Sequence, residues 1–217
     1  MDPWLRNAAR RAIGFMPDDE GMALYEAALE AAPLGPILEI GSYCGRSTLY
    51  LAGAVRDAET GSPSYVVTID HHRGSEEHQP GEEYHDARLV NEDGVLDTLA
   101  TFRRTIEQAG VEDVVVAIVA RSQTVAQLWR TPLGMAFIDG GHSSEVADGD
   151  LDSWSPHVVQ GGLLAIHDVF PDPDQGGRPP YEIYLRALSS GAFEEVAEKG
   201  SLRVLRRTRP ASAPARK

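Results

Sequence analysis

Five short apolar runs rich in β-formers, at 36–40, 65–70, 114–119, 135–138 and 163–166, alternate along this chain with stretches of helical character. A strand followed by a helix rejoins the next strand in parallel, so this alternation confines the chain to an α/β fold with helices on both faces of its sheet. Two of the runs end in a carboxylate with a histidine beside it: Met135-Ala136-Phe137-Ile138-Asp139-Gly140-Gly141-His142 and Leu163-Leu164-Ala165-Ile166-His167-Asp168. As neighbouring parallel strands they would bring Asp139, His142, His167 and Asp168 to one crevice beyond the strand ends, where open α/β sheets bind ligands.

A length of 217 residues suits one domain with a substantial core. The lone cysteine, Cys44, has no partner within the chain, and no apolar run approaches the roughly 18 residues of a membrane span. The start, Met1-Asp2-Pro3-Trp4, lacks the apolar stretch of a signal peptide, so a cytoplasmic protein without membrane insertion is expected. Net charge is −13, and the five cations of 206–217 leave −18 on the body. Such a body repels a polyanion and argues against nucleic acid as a partner.

The periodicity predicts helices over 4–15 and from Asp18 to Ala32 before the first strand, and their apolar faces suit either the chain's own domain or a homodimer contact. Further helices are predicted over 46–55, 91–109, 122–129 and 144–154, and another from Pro179 onward. Gly161-Gly162 reads as a turn into the fifth strand, and 193–196 with 202–205 as a closing antiparallel hairpin. Between His71 and His85, four histidines and four glutamates (Glu76, Glu77, Glu82, Glu83) lack a recognised metal-ligand spacing, and the segment reads as a solvated lid. His157, just before Gly161-Gly162, reads as structural, and Cys44 has no dedicated base beside it.

A glycine turn after the first strand lets backbone approach a nucleotide, and an acid closing the next strand can accept from ribose hydroxyls. Glu39, Gly41, Gly45 and Asp70 occupy those places. With Gly41 as first glycine, a dinucleotide G-x-G-x-x-G motif would need glycine where Tyr43 and Arg46 stand, which disfavours a nicotinamide-dependent oxidoreductase. A non-catalytic nucleotide-binding protein of the same fold is the other alternative.

The run Glu39-Ile40-Gly41-Ser42-Tyr43-Cys44-Gly45 resembles the E-x-G-x-G-x-G turn of class I S-adenosylmethionine-dependent methyltransferases, with Tyr43 replacing the middle glycine. The resemblance spans about 36–206. It implies a doubly wound, Rossmann-like, seven-stranded and mostly parallel sheet with an antiparallel C-terminal hairpin. It also implies S-adenosylmethionine as cofactor, held by Glu39, Gly41, Ser42, Gly45, Ser47, Asp70, His71, Ser122 and Asp139. The corresponding division is N-terminal helices over 1–35, a methyltransferase domain over 36–207 and a disordered tail over 208–217.

The blocks around Asp139 and Asp168 more specifically resemble small bacterial methyltransferases related to rhamnosyl O-methyltransferase and cephalosporin hydroxylase. Members of that group use a divalent ion held by acids after strands four and five, which implies Asp139 and Asp168 as ligands. His167, where some relatives carry an acid, is the third ligand expected. The bias toward Ala, Arg, Asp, Gly and Pro resembles high-GC actinobacterial proteins, among which comparable enzymes methylate mannosides during methylmannose polysaccharide assembly.

Methyl transfer from a sulfonium is an in-line displacement that needs an aligned and activated acceptor oxygen. For a sugar hydroxyl about as weakly acidic as water, proton transfer to a histidine is uphill by about 12 kcal/mol, so a base alone is mismatched. A divalent ion on the same oxygen narrows that gap, and carboxylates with histidine therefore point to an aliphatic hydroxyl. The expectation is Mg²⁺, with Mn²⁺ or Zn²⁺ admitted by His167, and His142 as the base taking the proton of a small sugar or glycoside acceptor.

Overall fold

Alternation along each strand decides which helices it meets. The computed structural model describes residues 1–59, 61, 64–79, 81–82, 84–141, 143–172 and 174–210. Its strands are β1 (Ile37–Ile40), β2 (Val66–Asp70), β3 (Val115–Val119), β4 (Leu133–Ile138), β5 (Val158–Ile166), β6 (Phe193–Lys199) and β7 (Leu202–Arg207). They form one sheet in the order β3-β2-β1-β4-β5-β7-β6, in which β7 alone runs antiparallel to its neighbours on both sides. This is the doubly wound, Rossmann-like, mostly parallel sheet with an antiparallel C-terminal pair that the sequence predicts.

Ile37, Met135, Phe137, Leu163 and Ala165 point to one face, against α1 (Pro3–Arg11), α2 (Asp18–Ala31), α3 (Arg46–Asp57) and α4 (Leu99–Gln108). Leu38, Ile40, Ala136, Ile138, Leu164 and Ile166 point to the other, against α6 (Ser144–Trp154) and α7 (Arg178–Ser189), with the short α5 (Ser122–Ala126) at the margin. Leu5 and Ala9 of α1 are buried on the α3 side, while Trp4 at the start of the same helix is exposed. No helix among the described residues is long and apolar enough to cross a membrane.

Several elements differ from the sequence expectation. The helix predicted over 91–109 begins only at Leu99, because Asn91 Oδ1 accepts from the amides of Asp93 (3.1 Å) and Val95 (3.0 Å) and Gly94 turns the chain at φ +77°. Leu96 is buried all the same, against Leu89 and Cys44, so its spacing reflects burial in a loop rather than a helix. The first helix stops at Arg11 instead of residue 15, where the Arg46 guanidinium donates to the carbonyls of Ala12 and Met16. Gly161, at φ +83°, lies inside β5 beside a register shift between Leu133 and Met135, so Gly161-Gly162 forms an irregularity within the strand and not a turn before it. The short helix predicted over 122–129 covers only Ser122–Ala126, and both strands of the hairpin run further than predicted. Thr208 still donates to Ala192, and the tail expectation for 211–217 falls outside the described residues.

The chain winds from β1 outward to β3 and then returns to place β4 on the other side of β1, which opens a crevice between the ends of β1 and β4. Gly41 sits in that crevice at φ +84°, and a methyl group on its Cα would fall 2.1 Å from the Asp139 carbonyl oxygen. Gly41→Ala is expected to destabilise the fold by about 2–4 kcal/mol in urea denaturation, through left-handed strain plus this collision. An unshifted midpoint would refute the close approach.

Candidate functional site

Glu39, on β1, turns inward beneath the glycine turn and is fully buried. Its two carboxylate oxygens each accept one hydroxyl at 2.6 Å, from Ser47 and Thr48 in the first turn of α3. Burial pushes its carboxyl up to about 7, against the opposing effect of these two donors. Glu39 and Ser47 therefore hold the turn and helix together, and bear on a ligand through the backbone they position.

Asp70, at the end of β2, closes the turn from the other side. Its Oδ2 accepts from the amides of Ser42 (3.0 Å) and Tyr43 (2.8 Å), and its Oδ1 from that of His72 (2.7 Å). His71 next to it is exposed, and its Nδ1 accepts from the Arg73 amide at 3.1 Å. Among the described residues the non-glycine positions with positive φ are Tyr43 (46°), His72 (57°) and Asp168 (56°), which follow β1, β2 and β5. Backbone strain is thus concentrated at the strand ends that border the crevice.

The Tyr43 ring stacks on His78 at 4.9 Å and meets Phe15 at 5.6 Å, while Phe15 packs edge-on against Tyr84 at 5.1 Å. The segment after β2 therefore rests on the glycine turn. It also reaches Ser75 to Gly141, where an added methyl group would lie 3.7 Å from the serine Cβ. Cys44 beneath it is buried, and burial pushes its thiol up to about 12, which leaves it unreactive.

Asp139, His167 and Asp168 come together beyond β4 and β5, with one ligand atom from each lying within 4.8 Å of the others. His167 Nδ1 is 3.0 Å from Asp139 Oδ1 and 3.4 Å from Asp168 Oδ1. Its Nε2 donates at 2.8 Å to Glu20 Oε2, from the first turn of α2. Burial opposes a charge on the imidazole, but Asp139, Asp168 and Glu20 outweigh it and hold the ring protonated well above its ordinary range. Burial would likewise raise Glu20, yet His167 and Ser201 keep its carboxyl below the usual value.

Ser122 donates its hydroxyl to Asp150 on α6, whose Oδ1 also accepts from Gln123 Nε2 at 2.9 Å. Burial pushes Asp150 up to about 6, with the Ser122 hydroxyl acting in the opposite direction. A methyl group on Gly140 would sit 3.0 Å from Asp150 Oδ2, so this buried acid also backs the loop that follows Asp139.

The structure thus gathers Gly41, Ser42, Asp70, Asp139, His167 and Asp168 around one crevice, with Gly45 as the left-handed residue leading into α3. Ser47 and Ser122 point into buried networks, and His142 lies outside the described residues. Glu20 and Asp150 escape sequence reasoning. Glu20 is 147 residues from the histidine it meets, and as one of three acids opening a helix it carries no local mark of that role.

The Glu39 carboxyl makes a pH prediction. Its value in the folded chain, about 7, lies above the ordinary 4.5, so its contribution to stability is complete below about pH 4.5 and is lost as pH rises through 7. Glu39→Gln removes that loss. The stability of the variant relative to wild type should rise by about 3 kcal/mol between pH 4.5 and 8 in urea titrations, and a constant difference across that window would count against a buried, proton-holding Glu39.

Residues 38–169 match a family described as a methyltransferase domain. Among solved structures, the chain superposes on the O-methyltransferase NovP with TM-score 0.70 at 17% identity, covering 95% of this chain and 88% of that one. It superposes on the O-methyltransferase TomG from Streptomyces achromogenes, involved in tomaymycin synthesis and bound to S-adenosylmethionine, with TM-score 0.62 at 18% identity, covering 96% and 91%. An O-methyltransferase from Bacillus cereus in complex with S-adenosylhomocysteine gives 0.60 at 18% identity, covering 94% and 88%. These likenesses establish the fold. The matched segment runs from β1 through Asp168 and takes in more than half of the chain, and on that ground this protein belongs to the methyltransferase-domain family.

Proposed function

We propose that this methyltransferase uses S-adenosylmethionine and a divalent ion to methylate a hydroxyl of a small sugar or glycoside, with mannosides among the acceptors. The observation that carries the reading is the convergence of Asp139, His167 and Asp168 beside the glycine turn. Bonds of about 2.1 Å to one ion place adjacent ligand atoms about 3 Å apart. The separations of 3.0 and 3.4 Å from Nδ1 fit that spacing. Two carboxylates and an imidazole suit Mg²⁺ or Mn²⁺.

The turn fits a nucleoside donor. Ser42 Oγ is buried without a hydrogen-bond partner among the described residues, which leaves an unpaired polar atom at the turn for a ligand. Asp70 has three amide donors on its carboxylate and retains acceptor capacity for a ribose hydroxyl. The named O-methyltransferases among the structural relatives support oxygen as acceptor. When bound, the divalent ion would ease deprotonation of an aliphatic hydroxyl. In this reading His142, three residues past Asp139 in the sequence and preceded by Gly140-Gly141, takes the proton. The chain's net charge of −13 favours a small acceptor over nucleic acid.

Calorimetric titration is expected to show binding of S-adenosylhomocysteine and none of NADH. Turnover across mono- and disaccharides, mannosides included, should require Mg²⁺ or Mn²⁺ and stop on chelation. His142→Ala should lower it by about 100-fold or more. Turnover indifferent to chelation removes the metal from the reading, and an unimpaired variant removes His142 as base.

A further inference from the structure

Glu20 stands in a built socket. Its Oε1 accepts from the Ser201 amide at 3.0 Å, and its Oε2 accepts both the Ser201 hydroxyl at 3.0 Å and His167 Nε2 at 2.8 Å. A methyl group on Gly200, where φ is +54°, would collide with Oε1 at 2.0 Å, so the hairpin turn between β6 and β7 is shaped around this carboxylate. On the helix side, a methyl group on Gly21 would meet the Tyr50 ring at 2.4 Å, which fixes the start of α2 in place. Glu20 and His167 are both nearly inaccessible to solvent, at 6% and 5% exposure. The Ser201 carbonyl also accepts from the Val169 amide at 3.0 Å, so the turn that holds Glu20 holds the end of β5 as well.

We infer that Glu20 is a positioning residue for the divalent ion: it accepts the Nε2–H hydrogen bond of His167, leaves Nδ1, which gives up its proton when the ion binds, as the coordinating atom between Asp139 and Asp168, and biases the site toward Mn²⁺ over Mg²⁺. The inference rests on the metal reading given above. A ligating histidine is oriented by the acceptor on its other nitrogen, which fixes both the tautomer and the ring plane. Here that acceptor comes from the first turn of α2 and lies 2.8 Å from Nε2, while both candidate carboxylate ligands lie on the Nδ1 side. A carboxylate acceptor also makes the opposite nitrogen a stronger donor. Imidazole nitrogen is better tolerated by Mn²⁺ than by Mg²⁺, which prefers an all-oxygen set. Rotating the ring so that Nε2 served instead would break the bond to Glu20 and leave a buried carboxylate without its histidine partner.

The test measures metal binding directly. Mn²⁺ and Mg²⁺ are titrated into the whole protein by calorimetry, with Mn²⁺ also followed by electron paramagnetic resonance. Wild type is expected to bind Mn²⁺ at least about 10-fold more tightly than Mg²⁺. Glu20→Gln should weaken Mn²⁺ by about 10–100-fold, the usual effect of losing a ligand's outer partner, while S-adenosylhomocysteine binding shows that the variant is folded. His167→Asp in the Glu20→Gln background should bring the Mn²⁺ to Mg²⁺ ratio back toward one. Independently of any variant, long-range ¹H–¹⁵N spectra of wild type should show Zn²⁺ moving Nδ1 of His167 while Nε2 keeps its proton. A metal-shifted Nε2, or a folded Glu20→Gln with unchanged Mn²⁺ affinity, overturns the role of Glu20 and leaves the metal reading standing. A wild type that takes up none of these ions overturns both.

Discussion

A buried imidazole with carboxylates on both sides ties together the parts of this chain that lie furthest apart in sequence. His167 joins α2 through Glu20, the end of β4 through Asp139, and its own strand end at Asp168, while Ser201 brings in the hairpin turn. Removing such charges from water costs several kcal/mol per ion, and the arrangement is tolerable because both ring nitrogens of His167 face carboxylates and both oxygens of Glu20 accept hydrogen bonds. Glu20 at the start of α2 and Ser201 in the hairpin turn, both outside the alternating β/α region, meet at this end of the sheet. Each supplies part of the environment without which a charged His167 would be destabilising.

The crevice has a second half built on a different principle. Around the glycine turn the polar groups are mostly backbone amides and short hydroxyls, organised by one fully buried acid, Glu39, and one half-exposed acid, Asp70. The halves meet where Gly41 passes the Asp139 carbonyl, too close for any side chain. A ligand lying across the turn therefore comes within reach of the acids after β4 and β5. Proximity of this kind, set by two rigid strands paired in register from Ile37 with Met135 to Ile40 with Ile138, is what methyl transfer requires of a scaffold.

Much of this was legible from the sequence, for identifiable reasons. The buried strands announce themselves as apolar runs, and the acids that end β4 and β5 must be neighbours once the strands are. The hairpin was legible from Lys199-Gly200-Ser201, although its strands run on to Lys199 and to Arg207, the latter buried despite its charge. The stretch before α4 was misread because Leu96 keeps a helical spacing while the Asn91 side chain and Gly94 bend the backbone. Glu20 and Asp150 were illegible for a deeper reason. A carboxylate that pairs across 147 residues, or one sealed under a serine hydroxyl, looks in sequence like any other acid on a helix.

Tyr43 makes the relation between pattern and physics concrete. A left-handed residue at φ 46° in the turn is normally glycine, and a side chain there costs roughly 1–2 kcal/mol. The structure offsets that strain with contacts glycine could not make: the ring stacks on His78 and packs at a tilt against Phe15. Through His78 the turn is coupled to the segment that carries Ser75 to Gly141, next to the loop following Asp139. The departure from a glycine-rich consensus is therefore local in sequence but not in effect, because it replaces backbone freedom at the turn with an aromatic anchor that links one side of the crevice to the other.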